Sequence, residues 1–378
     1  MILSLLLEAP GARVVPGVLG KLVRPLDLVR RALWRLGTKT RLGRDCVRDR
    51  GLRLFVLALA HMGVTLALTL VAPLWLLLLG PIILGFPHVV SDVRYLLVKP
   101  VAPFRGLDRT GLVLVLGPLA AMTLLRVLPV LGVPPVPFGA PIEVLLGAAA
   151  IVGALCVARL SRRAKALSIT LALGLGAFGA AHGHTTSLVI AHAHNLVAFG
   201  LWLWMFSSEG TRGRLLTLAA AYLGVMALTL GGAFDGIILG HLDGAAAGLD
   251  LDYMVWSVAP AVEPMLAMRL VLFYAFAQAI HYVVWLRLVP QRLDDRPAPP
   301  TFSRSIARLR GDLGRWGFWL VVVISIATPL ATLVFEALDV RLVYLLVVIG
   351  HGWLELAVLA ALGAERATRS GTAARATP

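Results

Sequence analysis

A chain of 378 residues, 59% of them hydrophobic and only 15% charged, cannot hide its apolar excess in a soluble core and reads as a polytopic membrane protein. Its formal charge of +15 would suit a nucleic-acid binder, but the basic residues gather at the ends of apolar segments, a topology signal that removes the case for nucleic acid. Two cysteines, Cys46 and Cys156, supply neither a disulfide framework nor a cysteine metal motif.

In chain order, residues 1–8 are apolar but short and lack a basic flank, so no cleaved signal peptide is expected. Residues 1–53 form a basic cytoplasmic segment. Within it Leu22, Leu26, Val29 and Leu33 accompany Arg24, Arg30, Arg31 and Arg35, as in an interfacial helix on the inner leaflet; a plain topology signal is the equal alternative. Residues 54–363 are the transmembrane helical domain, and 364–378 a basic cytoplasmic tail. Ten spans are predicted, at about 52–71, 73–97, 111–131, 141–160, 166–182, 185–207, 215–238, 266–288, 316–338 and 341–363. Each is close to the ~20 residues that cross the hydrocarbon core. With the N-terminus inside, every lysine and arginine except Arg126, Arg269 and Arg341 falls on the cytoplasmic side. The fold expected is an all-α bundle, N-in and C-in, in the inner (cytoplasmic) membrane and touching anionic lipid.

The second span carries Gly80-Pro81 and Gly85-Phe86-Pro87-His88, and proline there predicts a broken helix beside a histidine. Residues 239–265, with His241, Asp243, Asp250, Asp252, Glu263 and the run Tyr253–Trp256, read as an outer loop, lid or re-entrant segment. Residues 292–315, rich in Pro, Arg and Asp, read as a cytoplasmic hinge before the last two spans.

Histidine at membrane depth is costly unless it is paired, so the intramembrane imidazoles are functional candidates. His88 and His351 are each followed by a carboxylate at i+4, Asp92 and Glu355, which helical spacing puts on the same face. Such a carboxylate is a second ligand or orients the imidazole. His192 and His194 lie about 200° apart on a helix, so either one is a ligand and the other a hydrogen-bonding partner, or they serve two sites. Asn195 adds a polar neighbour, while Tyr282, Trp285, Tyr344 and Trp353 offer an aromatic lining. His281 completes the set; His61, without a companion at i±4, is expected to pack in the core, and His182 and His184 lie nearer the outer surface. The metal candidates are therefore His88, His192, His194, His281 and His351. A histidine set with carboxylates and no cysteine suits iron, copper or zinc.

Four islands in order, Gly85 to Asp92, Ile190 to Asn195, Ile280 to Trp285 and His351 to Glu355, resemble the bacterial carotene-cleaving dioxygenases of the Brp/Blh family. Val89 stands where that family has glycine after Pro-His, and Trp285 where it has a second histidine. The resemblance implies non-haem iron held by His88, His192 and His281 with His351 near the site, and oxygen-dependent cleavage of a carotenoid or other apolar small molecule. Ala191-His192-Ala193-His194 is also similar to the Ala-His-x-His helix of haem–copper oxidases, so haem or copper is the alternative cofactor. Asp235 and Arg269 leave a proton-coupled transporter as a third reading.

Overall fold

The computed structural model describes residues 17–99, 109–135, 137, 139–208, 210–237, 251–293 and 301–375. The expectations for residues 1–8, His241, Asp243 and Asp250 lie outside them. The described residues are almost wholly helical and contain no strand. Two amphipathic helices come first, α1 (Gly17–Gly37) and α2 (Arg41–Arg48). The next six helices are α3 (Arg50–Val71), α4 (Pro73–Val98), α5 (Thr110–Leu131), α6 (Gly139–Val157), α7 (Arg162–Ala181) and α8 (Gly183–Phe206). After α9 (Arg212–Leu230) comes the short α10 (Leu251–Val258), then α11 (Pro264–Arg292), α12 (Phe302–Ala331) and α13 (Ala337–Arg375). Ten of these are long and apolar enough to cross a membrane, and they match the ten predicted spans. The chain is a multi-pass, all-α membrane protein. A reporter fused after the C-terminus is expected on the cytoplasmic side and one inserted at 243–250 on the other; a cytoplasmic signal from both would overturn the orientation.

Two readings of the sequence need correction. The prolines do not break α4. The helix runs on through a π-helical turn, Gly80–Gly85, and a second one, Arg94–Val98, bracketing its α-helical stretch Phe86–Val93. Widening to i→i+5 bonding absorbs a proline that has no N–H to offer, and such turns recur at functional sites. Residues 302–313 are helix rather than loop: α12 starts at Phe302, and its two helical stretches meet across a kink at Gly314, within the predicted hinge, whose φ of 71° lies in the left-handed region. α13 continues through residue 364 to Arg375.

The described residues divide into two compact units. One comprises the chain up to His88 with Phe199–Val255 and Ala261–Leu330; the other comprises Val89–Ala198, Trp256–Pro260 and the chain from Ala331. In the first unit α11 is central, packing on α3, α9 and the start of α4, and its span is the most buried of the ten. Phe199, Trp202, Phe206, Tyr222 and Phe276 make a buried aromatic cluster there, with Phe199 and Tyr222 stacked at 4.1 Å. In the second unit α5, α6, α7 and α13 pack closely. Small residues set that closeness, as in most membrane helix interfaces: the Trp353 ring of α13 lies over Gly147 of α6, and Gly153 faces the Leu114 carbonyl.

The exceptions to the charge bias have local explanations. Arg126 donates to both carboxylate oxygens of Glu143, each at 2.5 Å, and Arg269 makes the same kind of fork with Asp235. Arg341 is buried in α13 at 1% exposure. The Asp235–Arg269 pair thus links the end of α9 to α11.

α1 has three faces. Val23, Asp27, Arg30 and Trp34 turn inward, Leu22, Leu26, Val29, Leu33 and Leu36 form an exposed apolar row, and Lys21, Arg24, Arg31 and Arg35 are exposed cations. Asp27 accepts hydrogen bonds from the Phe302 and Ser303 backbone N–H groups and from Ser303 Oγ (2.7, 3.3 and 2.6 Å), so it caps α12 from a distant part of the chain. Burial works to raise the Asp27 carboxyl, but the hydrogen bonds from Ser303 and Phe302 prevail and hold it below the usual aspartate range. A lowered carboxyl stabilises above its unfolded value, near ~3.9, and loses that contribution as pH falls through its folded value. Hydrogen exchange in α1 should therefore quicken below about pH 4. In Asp27→Ala it should be fast at neutral pH too, through loss of a cap worth about 1 kcal/mol; unchanged exchange in that variant would contradict the capping role.

Candidate metal centre

In the first unit, His88 on α4 and His281 on α11 meet edge to face with ring centroids 5.0 Å apart, and each is 1% exposed. The Tyr282 ring lies 4.5 Å from His88 and packs where a Cβ on Gly80 would come within 3.0 Å of it. α11 opens into a π-helical turn, Val284–Leu288, directly after this pair, and Trp285 is buried within that turn. All the π-helical turns among the described residues therefore lie in the two helices that carry His88 and His281.

In the second unit, Asp92, His351 and Glu355 each offer a ligand atom within 4.8 Å of the other two. Asp92 comes from α4 and the other two from α13, so the group joins helices distant in sequence. Both carboxylates are 0% exposed. The Glu355 carboxyl is the hydrogen-bonding neighbour of Asp92, and neither Asp92 oxygen accepts from a backbone or neutral side-chain donor among the described residues. Two carboxylates cannot both remain charged and face each other in an apolar bundle; a shared proton or a cation must lie between them. The His194 ring stands perpendicular to His351 at 5.2 Å, and Gly352 makes the approach possible, since a Cβ there would sit 3.1 Å from the imidazole.

The imidazoles are oriented by their own helices. Nδ1 of His88, His194 and His351 lies 3.3, 3.2 and 2.5 Å from the carbonyls of Leu84, Ile190 and Val348. A proton on Nδ1 satisfies those carbonyls and leaves Nε2 with the lone pair a metal needs. His61 and His182 make the same contact, so it is a habit of helical histidine and not in itself a mark of a site.

His192 behaves differently, placing Nε2 2.8 Å from the Val258 carbonyl. The two histidines of the Ala-His-x-His run differ in surroundings: His194 faces His351, while His192 holds the turn after α10. Asn195, 1% exposed, donates to the Ala191 carbonyl at 3.1 Å within its own helix. Trp353 fills the notch at Gly147, and Tyr344 is buried on the same helix. Asp235 and Arg269, the charges behind the transporter reading, are bonded to each other at 2.5 Å.

The donor set fits a transition metal. Imidazole with carboxylate oxygen is the ligand class of iron, zinc and copper, and a cation would offset the facing, buried carboxyls of Asp92 and Glu355. Sequence reasoning had both carboxylates as neighbours of their own histidines through the i+4 spacing; their meeting had no local signal. No protein-family model, no curated protein and no solved structure matches this chain.

Proposed function

We propose that this chain is a metalloenzyme of the inner membrane, a non-haem iron oxygenase acting on a carotenoid or another long apolar lipid. The observation that carries the reading is the Asp92–His351–Glu355 group, in which both carboxylates are fully buried. His351 Nε2 and the two carboxylates are its proposed ligands. His194 supports them through His351.

Iron, when bound, would supply the activation of oxygen. The chain's own part is to bind, orient and exclude. The Val348 carbonyl fixes the His351 tautomer, the Asp92 and Glu355 oxygens offset the metal's charge, and apolar helix walls keep water from the carboxylates. A site reached through lipid-facing walls selects substrates that dissolve in the bilayer.

Expression in carotene-accumulating cells should cause pigment loss with retinal formation, and His351→Ala should abolish both. Pigment loss that persists in His351→Ala would contradict a reaction at this group. Unchanged carotenoids with metal bound would exclude carotenoid as the substrate and leave another apolar lipid.

A further inference from the structure

α1 is turned the opposite way from a helix that packs on a protein in water. Its inward face carries Val23 and the carboxylate of Asp27, both buried, while Leu22, Leu26, Val29, Leu33 and Leu36 point outward at 49–65% exposure. The inward contact is polar and directional, because Asp27 accepts from the Phe302 and Ser303 N–H groups and from Ser303 Oγ. Rolling the leucines onto the bundle would break all of these bonds. The outward row repeats at spacings of four, three, four and three residues, so it forms one continuous stripe along the helix. Left in water, such a stripe forgoes the burial that apolar side chains gain, so it calls for an apolar cover.

A partner helix and a lipid leaflet both fit a stripe of this spacing, and charge separates them. Lys21, Arg24, Arg31 and Arg35 are exposed on the side of α1 away from the stripe, and Asp27, the only acid in Gly17–Gly37, is turned inward. A second copy of α1 would bring cations toward cations. Pro25 and Ala32, which border the stripe on its exposed edge, carry no charge that could specify a helix pairing. Position points the same way. α1 leads through α2 into α3 at Arg50, the end of one span, and Asp27 ties it to Phe302, the end of another. Span ends lie at the level of the lipid headgroups.

We propose that the outer face of α1 is a docking surface for an anionic lipid leaflet, with the stripe from Leu22 to Leu36 in the acyl layer and Lys21, Arg24, Arg31 and Arg35 among the headgroup phosphates. A helix with an apolar stripe and a cationic face lies in the plane of the interface in this way. The long stems of lysine and arginine let the charges reach the headgroups while the stripe stays buried. Asp27 couples the docked helix to the bundle, since the same carboxylate sets the roll of α1 and caps α12. The surface belongs to the first unit and takes no part in the Asp92–His351–Glu355 group.

The test uses the full-length protein in lipid nanodiscs, with an environment-sensitive fluorophore on Leu26→Cys or Arg31→Cys in a Cys46→Ser/Cys156→Ser background. In discs of phosphatidylglycerol and phosphatidylcholine, the label at Leu26→Cys should be quenched by doxyl-labelled lipid and shielded from aqueous iodide, and the label at Arg31→Cys should show the reverse. Hydrogen exchange in α1 of the wild type should be about tenfold slower in those discs than in phosphatidylcholine alone, since each cation near an anionic surface contributes several-fold. Lys21→Gln/Arg24→Gln/Arg31→Gln/Arg35→Gln should remove that difference; all four side chains are exposed, and gel filtration checks that the variant remains folded. Iodide quenching at Leu26→Cys would put the stripe in water, and protection there from both quenchers would put a protein against it; either overturns the proposal. Equal exchange in the two kinds of disc, or a difference that survives the fourfold glutamine variant, overturns it as well.

Discussion

Asp92→Asn is expected to release bound metal almost completely while leaving the protein folded, and this contrast separates the two ways of reconciling Asp92 with Glu355. If a proton were shared between the carboxyls, an asparagine amide would donate to Glu355 in its place and little would change. If a metal is shared, the variant loses an anionic ligand and half of the charge offset, so metal content should drop from about one per chain to less than a tenth of that, in keeping with the large cost of an incomplete ligand shell. Glu355→Gln should behave alike. Ligand binding also stabilises the state that binds, so a chelator should lower the unfolding temperature of the wild type and leave that of Asp92→Asn where it is. Equal metal in wild type and variant would show the pair to be proton-linked.

Gly147→Leu is expected to be the most damaging packing change in the second unit. A Cβ at Gly147 would meet the Trp353 ring at 2.2–2.4 Å, far inside contact distance, and three of the ring's carbons lie within that range. Trp353 is buried at 6% exposure, so the ring has little room to retreat. Overpacking of this kind costs about 1–3 kcal/mol or more, and the clash involves a ring and a helix axis rather than a flexible tip. The expected outcome is a fall in the unfolding temperature in detergent, with partial recovery in Gly147→Ala/Trp353→Leu, where the smaller side chain vacates the notch. No loss of stability in Gly147→Leu would mean that α6 and α13 do not pack through this contact.

How much of this was legible beforehand follows from the range of each interaction. The ten spans were readable because each is a local run of apolar residues matched to a fixed hydrocarbon thickness. The His88/Asp92 and His351/Glu355 pairs were readable for the same reason, since four residues make one helical turn. The turn of His194 rather than His192 toward His351 was not readable: both lie on α8, and the decision rests on Val258 and Gly352, which belong to other helices. The helix at 302–313 was masked by loop-like Pro, Arg and Asp nearby, and its cap, Asp27, is supplied from α1. The π-helical turns of α4 and α11 had only proline as a signal, and proline fits a break equally well.

Elemental analysis of the purified, full-length protein, with an optical spectrum of the same sample, tests the central claim most directly. The account predicts about one iron per chain with no haem Soret band, lost in His351→Ala and retained in His61→Ala. A protein that carries no transition metal when prepared without chelator, or one whose iron is retained in His351→Ala, would contradict it.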